Sequence, residues 1–244
     1  LVCVNLIEHN HLSTGSSMRV IDDLLSLFYP RLCAGCGTSL VLGEDVLCLN
    51  CLADLPRTGF HHIKENPVYQ IFTGRASIEL ATSFCRFDKG GRLQHLLHAL
   101  KYQGNREVGQ KMGMLLGVEL SHELDYQRID AIIPVPLHPK KEKKRGFNQS
   151  TEICTGLAKS MNKPLILGNL IRDLHTESQT FKGRFERWEN VCGIFSVRNP
   201  SVLMGKHLLL VDDVITTGAT LEACCLPLLQ IEGTKVSLAS IAYA

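Results

Sequence analysis

Leu208-Leu-Leu-Val-Asp-Asp-Val-Ile-Thr-Thr-Gly-Ala-Thr-Leu221 is the stretch from which the rest of the chain is best read. Four apolar residues, Leu208 to Val211, run into two adjacent carboxylates, Asp212 and Asp213. A hydroxyl-rich turn follows, Thr216-Thr217-Gly218-Ala219-Thr220, and leads into a helical pattern. An uninterrupted apolar run of this length suits a parallel strand covered by helices on both faces. Ligands of open α/β sheets bind at the carboxyl ends of such strands. The turn offers backbone N–H groups, hydroxyls and a helix N-terminus, which together favour a phosphate dianion. Paired acids just before a phosphate cradle suit a ligand that carries both a phosphate and vicinal hydroxyls, with Mg²⁺ nearby. A ribose 5-phosphate group has that chemistry. A Thr-capped strand–turn–helix corner with no ligand is the plainer alternative. No Gly-Lys-Ser/Thr follows the turn, so it is not a P-loop, and dinucleotide glycine spacing is missing as well.

The stretch resembles the phosphoribosyl pyrophosphate (PRPP) motif of type I phosphoribosyltransferases. The resemblance implies that Asp212 and Asp213 hold the ribose hydroxyls and the waters of Mg²⁺. It also implies that Thr216, Thr217, Gly218, Ala219 and Thr220 wrap the 5-phosphate.

Composition sets the limits. The 244 residues suit one medium domain plus a smaller module, and 45% apolar content is enough for a core. A formal charge of +2 gives no global field for nucleic acid or membrane. No apolar run reaches the roughly eighteen residues of a membrane span. Leu1 to Ile7 is too short, and lacks the basic flank, for a signal peptide. Met18 opens a well-patterned helix (Val20, Leu24, Leu27, Phe28), so residues 1–17 read as a tag remnant or upstream extension. Ten cysteines in a chain this long, without an export signal, point to thiols in the cytoplasm rather than a disulfide scaffold.

Four of those cysteines are patterned. Cys33-Ala-Gly-Cys36 and Cys48-Leu-Asn-Cys51 stand eleven residues apart. Two such knuckles joined by a hairpin make a closed tetrahedral thiolate site, structural rather than catalytic, with Zn²⁺ the expected ion. A redox pair needs only one C-x-x-C within a βαβ unit. Cys3, Cys85, Cys154, Cys192, Cys224 and Cys225 have no ligand spacing and read as buried free thiols.

The expected organisation is a helix and four-cysteine module over 18–56, a linker over 57–75 and an α/β domain over 76–244. Strands are expected at Ser77–Asp88, Ile129–Val135, weakly at Pro164–Leu167, at Leu208–Val211 and at Val236–Ala242. They alternate with helices, including Ala219–Ile231 with Pro227 inside it, so the sheet should be mostly parallel. Pro134-Val135-Pro136-Leu137 leads into a polar loop at the same sheet edge as the motif turn. Lys140, Lys141, Lys143, Lys144 and Arg145 with Glu142 give that loop a local charge of +4. It reads either as a solvated face or as cations for a leaving pyrophosphate. Residues 174–195 form a polar stretch of a length often found in lids.

These parts together resemble the ComF family of competence proteins (ComFC and GntX types) from about Met18 to Ala244. The resemblance rests on the cysteine quartet, Leu100-Lys-Tyr-x-Gly-Asn105, Arg145-Gly-Phe-Asn-Gln149, Thr176-x-x-Gln179 through Arg187-x-x-Asn190-Val-x-Gly193, and the PRPP motif. It implies a zinc-ribbon-like module joined to a type I phosphoribosyltransferase-like domain in the cytoplasm, linked to DNA uptake. Arg145 is then the leading catalytic candidate beside Asp212 and Asp213. Lys101 and the Pro134–Leu137 turn are the pyrophosphate candidates, and Thr176, Gln179, Arg184 and Arg187 belong to a flexible loop. The family's basic loop is richer in arginine; here lysines stand there, keeping charge but losing the bidentate fork. Three functions follow: a PRPP-dependent transferase with an unidentified acceptor, a single-stranded DNA-binding factor working with the uptake machinery, and a PRPP sensor.

Overall fold

A computed structural model describes residues 30–173 and 194–244. The helix expected from Met18 and the loop residues Thr176, Gln179, Arg184 and Arg187 lie outside these. After the cysteine cluster come α1 (Leu49–Ala53), a 3-10 turn (Phe60–His62), α2 (Pro67–Phe72) and β1 (Ala81–Arg86). Helices α3 (Arg92–Tyr102), α4 (Arg106–Ser121) and α5 (Leu124–Gln127) lead to β2 (Ala131–Pro134), followed by α6 (Pro139–Arg145) and α7 (Gln149–Met161). The chain then forms β3 (Leu170–Arg172), β4 (Phe195–Val197), a second 3-10 turn (Pro200–Val202), β5 (His207–Ile215), α8 (Ala219–Leu229) and β6 (Lys235–Tyr243).

Four strands make the main sheet in the order β1-β6-β5-β2, every pair parallel. The small β3–β4 pair is antiparallel and separate. This is the α/β class expected, a parallel sheet flanked by helices with a cysteine cluster before it. The apolar run of β5 is explained by its two faces. Leu209 and Val211 pack with α3, α4 and α7, while Leu208 and Leu210 pack with α2 and α8.

Some boundaries differ from the expected ones. Strand β5 does not stop at Val211 but runs to Ile215, so Asp212 and Asp213 lie within its last turn of pleat. Ladder bonds to β6 carry it on, with Asp212 opposite Ser240 and Ile215 opposite Tyr243. The stretch near Pro164 contributes only an isolated parallel bridge, Leu165 to Ile132. The basic loop after β2 is a helix, α6: His138 caps it, Pro139 sits in its first turn and Gly146 closes it at φ 81°.

Residues 57–75, expected as a linker, carry the first 3-10 turn and α2. Buried Asn66 caps α2 by accepting from the N–H groups of Val68 and Tyr69, and its amide donates to the carbonyls of Phe60, Ile63 and Ala81. Val68 and Phe72 are fully buried against β5 and α8.

Helices α4 and α7 approach closely because glycine lines the contact. A Cβ on Gly113 would stand 1.9 Å from the Ile153 carbonyl oxygen, and one on Gly156 would stand 1.9 Å from that of Gln110. Neither backbone can give way without opening the layer. Gly156→Ala is therefore expected to destabilise the fold by about 1–3 kcal/mol or more, read by urea unfolding. Wild-type stability in that variant would show that the helices can separate at no cost.

Candidate functional site

The end of β5 and the start of α8 form a concavity of about 240 Å³ lined by Asp212, Val214 and residues 215–221. Thr216, Thr217, Ala219 and Thr220 are exposed, while Gly218 is buried. Gly218 has φ 75°, and a Cβ there would lie 2.8 Å from Ile71 and 2.9 Å from Phe72. Glycine is thus required both by backbone conformation and by the close seat on α2. Gly218 has no side chain to cap α8, and Thr217 Oγ1 accepts from the Ala219 N–H only at a long 3.5 Å, which leaves the helix N-terminus largely available to an anion. Arg75 braces the turn from outside: it donates to the Thr217 carbonyl at 2.8 Å and pairs with Glu222.

The two acids have different partners. Asp212 accepts from the Ser150 hydroxyl at 3.0 Å and from the Asp213 backbone N–H at 2.8 Å. Asp213 pairs with the Lys101 ammonium at 3.0 Å. Burial, then the neighbouring Asp213 carboxylate, push the Asp212 carboxyl up to about 7, against the pull of those hydrogen bonds and of Lys101.

Several predicted residues meet here. Lys101 comes from the last turn of α3 and Ser150 from the first turn of α7. Arg145 donates to Gln149 and lies 5.6 Å over the Tyr102 ring, so the Leu100–Asn105 and Arg145–Gln149 segments touch. Arg106 strengthens the junction, donating to the Gly146 carbonyl at 2.9 Å and standing 4.8 Å over the Phe147 ring. Asn148 caps α7 and donates to the Val135 carbonyl at 2.9 Å. Of the Pro134–Leu137 turn, Pro134 belongs to β2, and the buried Val135 spends its N–H on the Val211 carbonyl at 2.9 Å. Proline has no N–H, so Leu137 has the only N–H of the four outside the sheet ladder. Lys140, Lys141, Lys143 and Lys144 are all exposed on α6.

The second cluster is Cys33, Cys36, Cys48 and Cys51, whose sulfur atoms all lie within 4.8 Å of one another. Cys36 and Cys48 are 3.7 Å apart, close to the roughly 3.8 Å edge of a tetrahedron with metal–sulfur bonds of about 2.3 Å. Backbone N–H groups of Gly35 and Cys48 point at Cys33 Sγ, and that of Cys51 at Cys48 Sγ. A Cβ on Gly35 would meet Cys51 Sγ at 2.9 Å, so the knuckle requires glycine. Hydrogen bonding from Thr38 brings the Cys36 thiol down to about 6, while burial pushes Cys51 up to about 12. The four residues fit a tetrahedral ion, which would displace the Cys51 proton on binding. Cys85, Cys154, Cys224 and Cys225 are buried free thiols, as expected, each pushed upward chiefly by burial.

The chain is 28% identical over 214 residues to the DNA utilization protein YhgH of Escherichia coli K12, covering 80% of this chain and 88% of that protein. It is 26% identical over 208 residues to Competence protein F of Haemophilus influenzae, covering 80% and 89%. Competence protein ComFC of Bacillus subtilis is 36% identical over 109 residues, 45% of this chain and 42% of that protein. The chain is a homologue of these competence and DNA-utilization proteins. No protein-family model matches it. Solved structures similar to this chain include the B. subtilis glutamine PRPP amidotransferase complexed with ADP and GMP, at TM-score 0.38 and 24% identity over 55% of this chain and 26% of that one. An adenine phosphoribosyltransferase matches at TM-score 0.38 and 15% identity over 61% and 75%.

Sequence reading alone missed Ser150 and Arg75. Ser150 is identifiable in principle as the residue after the Arg145–Gln149 motif. Arg75 has no local signal for the site, because the partners that tie it there, Thr217 and Glu222, lie beyond residue 215.

Asp212 ties the site to pH. Its folded value stands above the ordinary 3.8 of an aspartate, so its contribution is fully present at acid pH and is lost as pH rises towards 7. Asp212→Asn should therefore gain stability relative to wild type between pH 4 and pH 8, by on the order of 2 kcal/mol after solvent screening. Urea unfolding at several pH values reads this directly, and parallel profiles for the two proteins would contradict it.

Proposed function

We propose that the β5–α8 corner is a PRPP–Mg²⁺ site and that the chain is a phosphoribosyltransferase-type protein working in DNA uptake, in the cytoplasm, with Zn²⁺ in the four-cysteine cluster. One observation carries this reading: paired acids near the end of a parallel strand stand two residues before a hydroxyl-rich turn that opens a helix, whose first N–H has only a long bond to Thr217. The open N–H groups and threonines suit the 5-phosphate, and Asp212 and Asp213 suit the vicinal ribose hydroxyls. Mg²⁺, when bound with the donor, would screen the charge on pyrophosphate.

In the reaction, an acceptor nucleophile attacks ribose C1 while the bond from C1 to pyrophosphate breaks. Pyrophosphate leaves with the electron pair, and the acceptor loses its proton. Positive charge on the ribose ring in the transition state is stabilised by the adjacent carboxylates. Lys101, held by Asp213, and Arg145, held over Tyr102, are the cations placed to receive pyrophosphate.

Calorimetric titration of PRPP, with and without Mg²⁺, tests the site. Binding should require the metal, weaken by roughly 10–100-fold or more in Asp213→Asn, which removes a group placed against the ligand, and weaken as pH falls below about 7, where Asp212 takes up a proton. Metal-independent or absent binding would overturn the proposal. Tight binding without pyrophosphate release across amine and nucleobase acceptors would mark a sensor rather than a transferase.

The exposed lysines of α6, together with Tyr102, which is 68% exposed and lies under Arg145 at the end of that helix, favour single-stranded DNA as a further ligand. Reversing Lys143 and Lys144 to Glu should weaken oligonucleotide binding. The slope of log affinity against log salt should flatten by about 0.7 for each phosphate no longer neutralised. An unchanged slope would place DNA elsewhere.

A further inference from the structure

A second group of metal-ligating side chains stands apart from both sites. His61, His62 and Glu123 offer ligand atoms within 4.8 Å of one another. His62 Nδ1 lies 2.9 Å from Glu123 Oε1, a few tenths of an ångström inside the roughly 3.3 Å that separates two ligands held at about 2.0–2.1 Å from a tetrahedral ion. His61 is nearly closed off, with 7% of its side chain exposed, whereas His62 is 62% exposed. The group borders an open cleft of about 920 Å³ between the 3-10 turn and the end of α4.

A neighbouring carboxylate supplies what a ligating histidine needs. Glu119 engages Arg57 through Oε1 at 3.1 Å, and its Oε2 lies 3.5 Å from His61 Nδ1. That second oxygen is buried and, among the described residues, accepts no hydrogen bond. A carboxylate behind one ring nitrogen fixes the tautomer and leaves the other nitrogen for a metal.

We infer that His61, His62 and Glu123 bind a divalent transition-metal ion of the kind imidazole favours, with Glu119 as the positioning residue behind His61. Three protein ligands leave room for water or for a ligand from a partner. The ion would clamp the 3-10 turn to the α4–α5 corner, since Glu123 is the N-cap of α5. The site is distinct from the phosphate turn. Arg106, at the opposite end of α4, is the residue that reaches Gly146, and a 16-residue helix separates the two ends by roughly 24 Å.

Ni²⁺ titrated into the protein as purified tests this by calorimetry and optical absorption. Wild type should take up one equivalent without thiolate charge-transfer absorption, since the new ligands are nitrogen and oxygen. The double variant His62→Ala/Glu123→Gln changes exposed or half-buried groups and should remain folded by circular dichroism. Its affinity should fall at least roughly tenfold, while the metal already in the cysteine cluster is retained on elemental analysis. Glu119→Gln should weaken nickel by about 10–100-fold and be indistinguishable from wild type in PRPP titration. Equal nickel uptake by wild type and the double variant, or uptake accompanied by thiolate absorption, would overturn the inference. The PRPP reading is untouched by either result.

Discussion

No methyl group fits between α4 and α7, and that closeness is what sets the geometry around Asp212 and the β5–α8 corner. Gly109, Gly113 and Gly117 recur every four residues along α4, so they share one face, and Gly156 answers them from α7. With the two backbones in contact, the helices are locked in register along their length. The lock fixes the N-terminal turn of α7, where Asn148 reaches the Val135 carbonyl and Ser150 reaches Asp212. It also fixes the start of α4, where Arg106 holds the Gly146 carbonyl. Packing energy gathered along helix α4 is thus spent on holding one carboxylate and one loop in place.

The buried acid illustrates why such holding is needed. A carboxylate moved from water into a half-buried site favours its protonated form, and a second carboxylate next door adds to that preference. Ser150, the Asp213 N–H and Lys101 oppose it without overcoming it. A site of this kind stays poised: a cationic or hydroxyl-rich ligand can supply the stabilisation that the protein withholds. The same logic applies at the other end of the corner, where Gly218 gives α8 no side-chain cap of its own and Thr217 reaches the Ala219 N–H only at 3.5 Å. Both features are locally unfavourable, and the proposed ligand, with its phosphate and its vicinal hydroxyls, would relieve both.

Much of this was visible in the sequence because the decisive signals are local. The apolar run, paired acids and threonine turn fall within fourteen consecutive residues, and the cysteine knuckles are defined by spacing alone. Helix α6 was also legible, in Pro139 at its start and Gly146 at its end, but the lysine run drew the reading towards a loop. Strand β5 outran its expected end because pairing with β6 satisfies the backbone through Asp212 and beyond, whatever the side chains prefer. Arg75, Ser150 and the glycine face of α4 depend on partners far away in the chain. The four-residue glycine spacing could be counted, yet only Gly156 on the opposing helix shows what it is for.

The cysteine cluster has a part in the same architecture. Cys33, Cys48, Cys51, Leu47 and Leu55 are buried in one core with Leu93, Leu96 and Leu100 of α3, so the cluster is packed against the α/β body. Lys111 to Asp45 at 2.9 Å and His95 to the Gly35 carbonyl at 3.2 Å add polar ties. Helix α3 then spans the distance to the paired acids of β5. Its first residue, Arg92, donates to Cys51 Sγ at 3.0 Å and pairs with Asp54 at 3.0 Å, and in its last turn Lys101 reaches Asp213 at 3.0 Å. Eleven residues of helix make a strut of roughly 16 Å, and four buried leucines, Leu93, Leu96, Leu97 and Leu100, pack it into the core. An ion holding Cys51 would therefore anchor the end of the strut opposite to Lys101. The reach of that lysine towards Asp213 would depend on a metal that never touches the ligand.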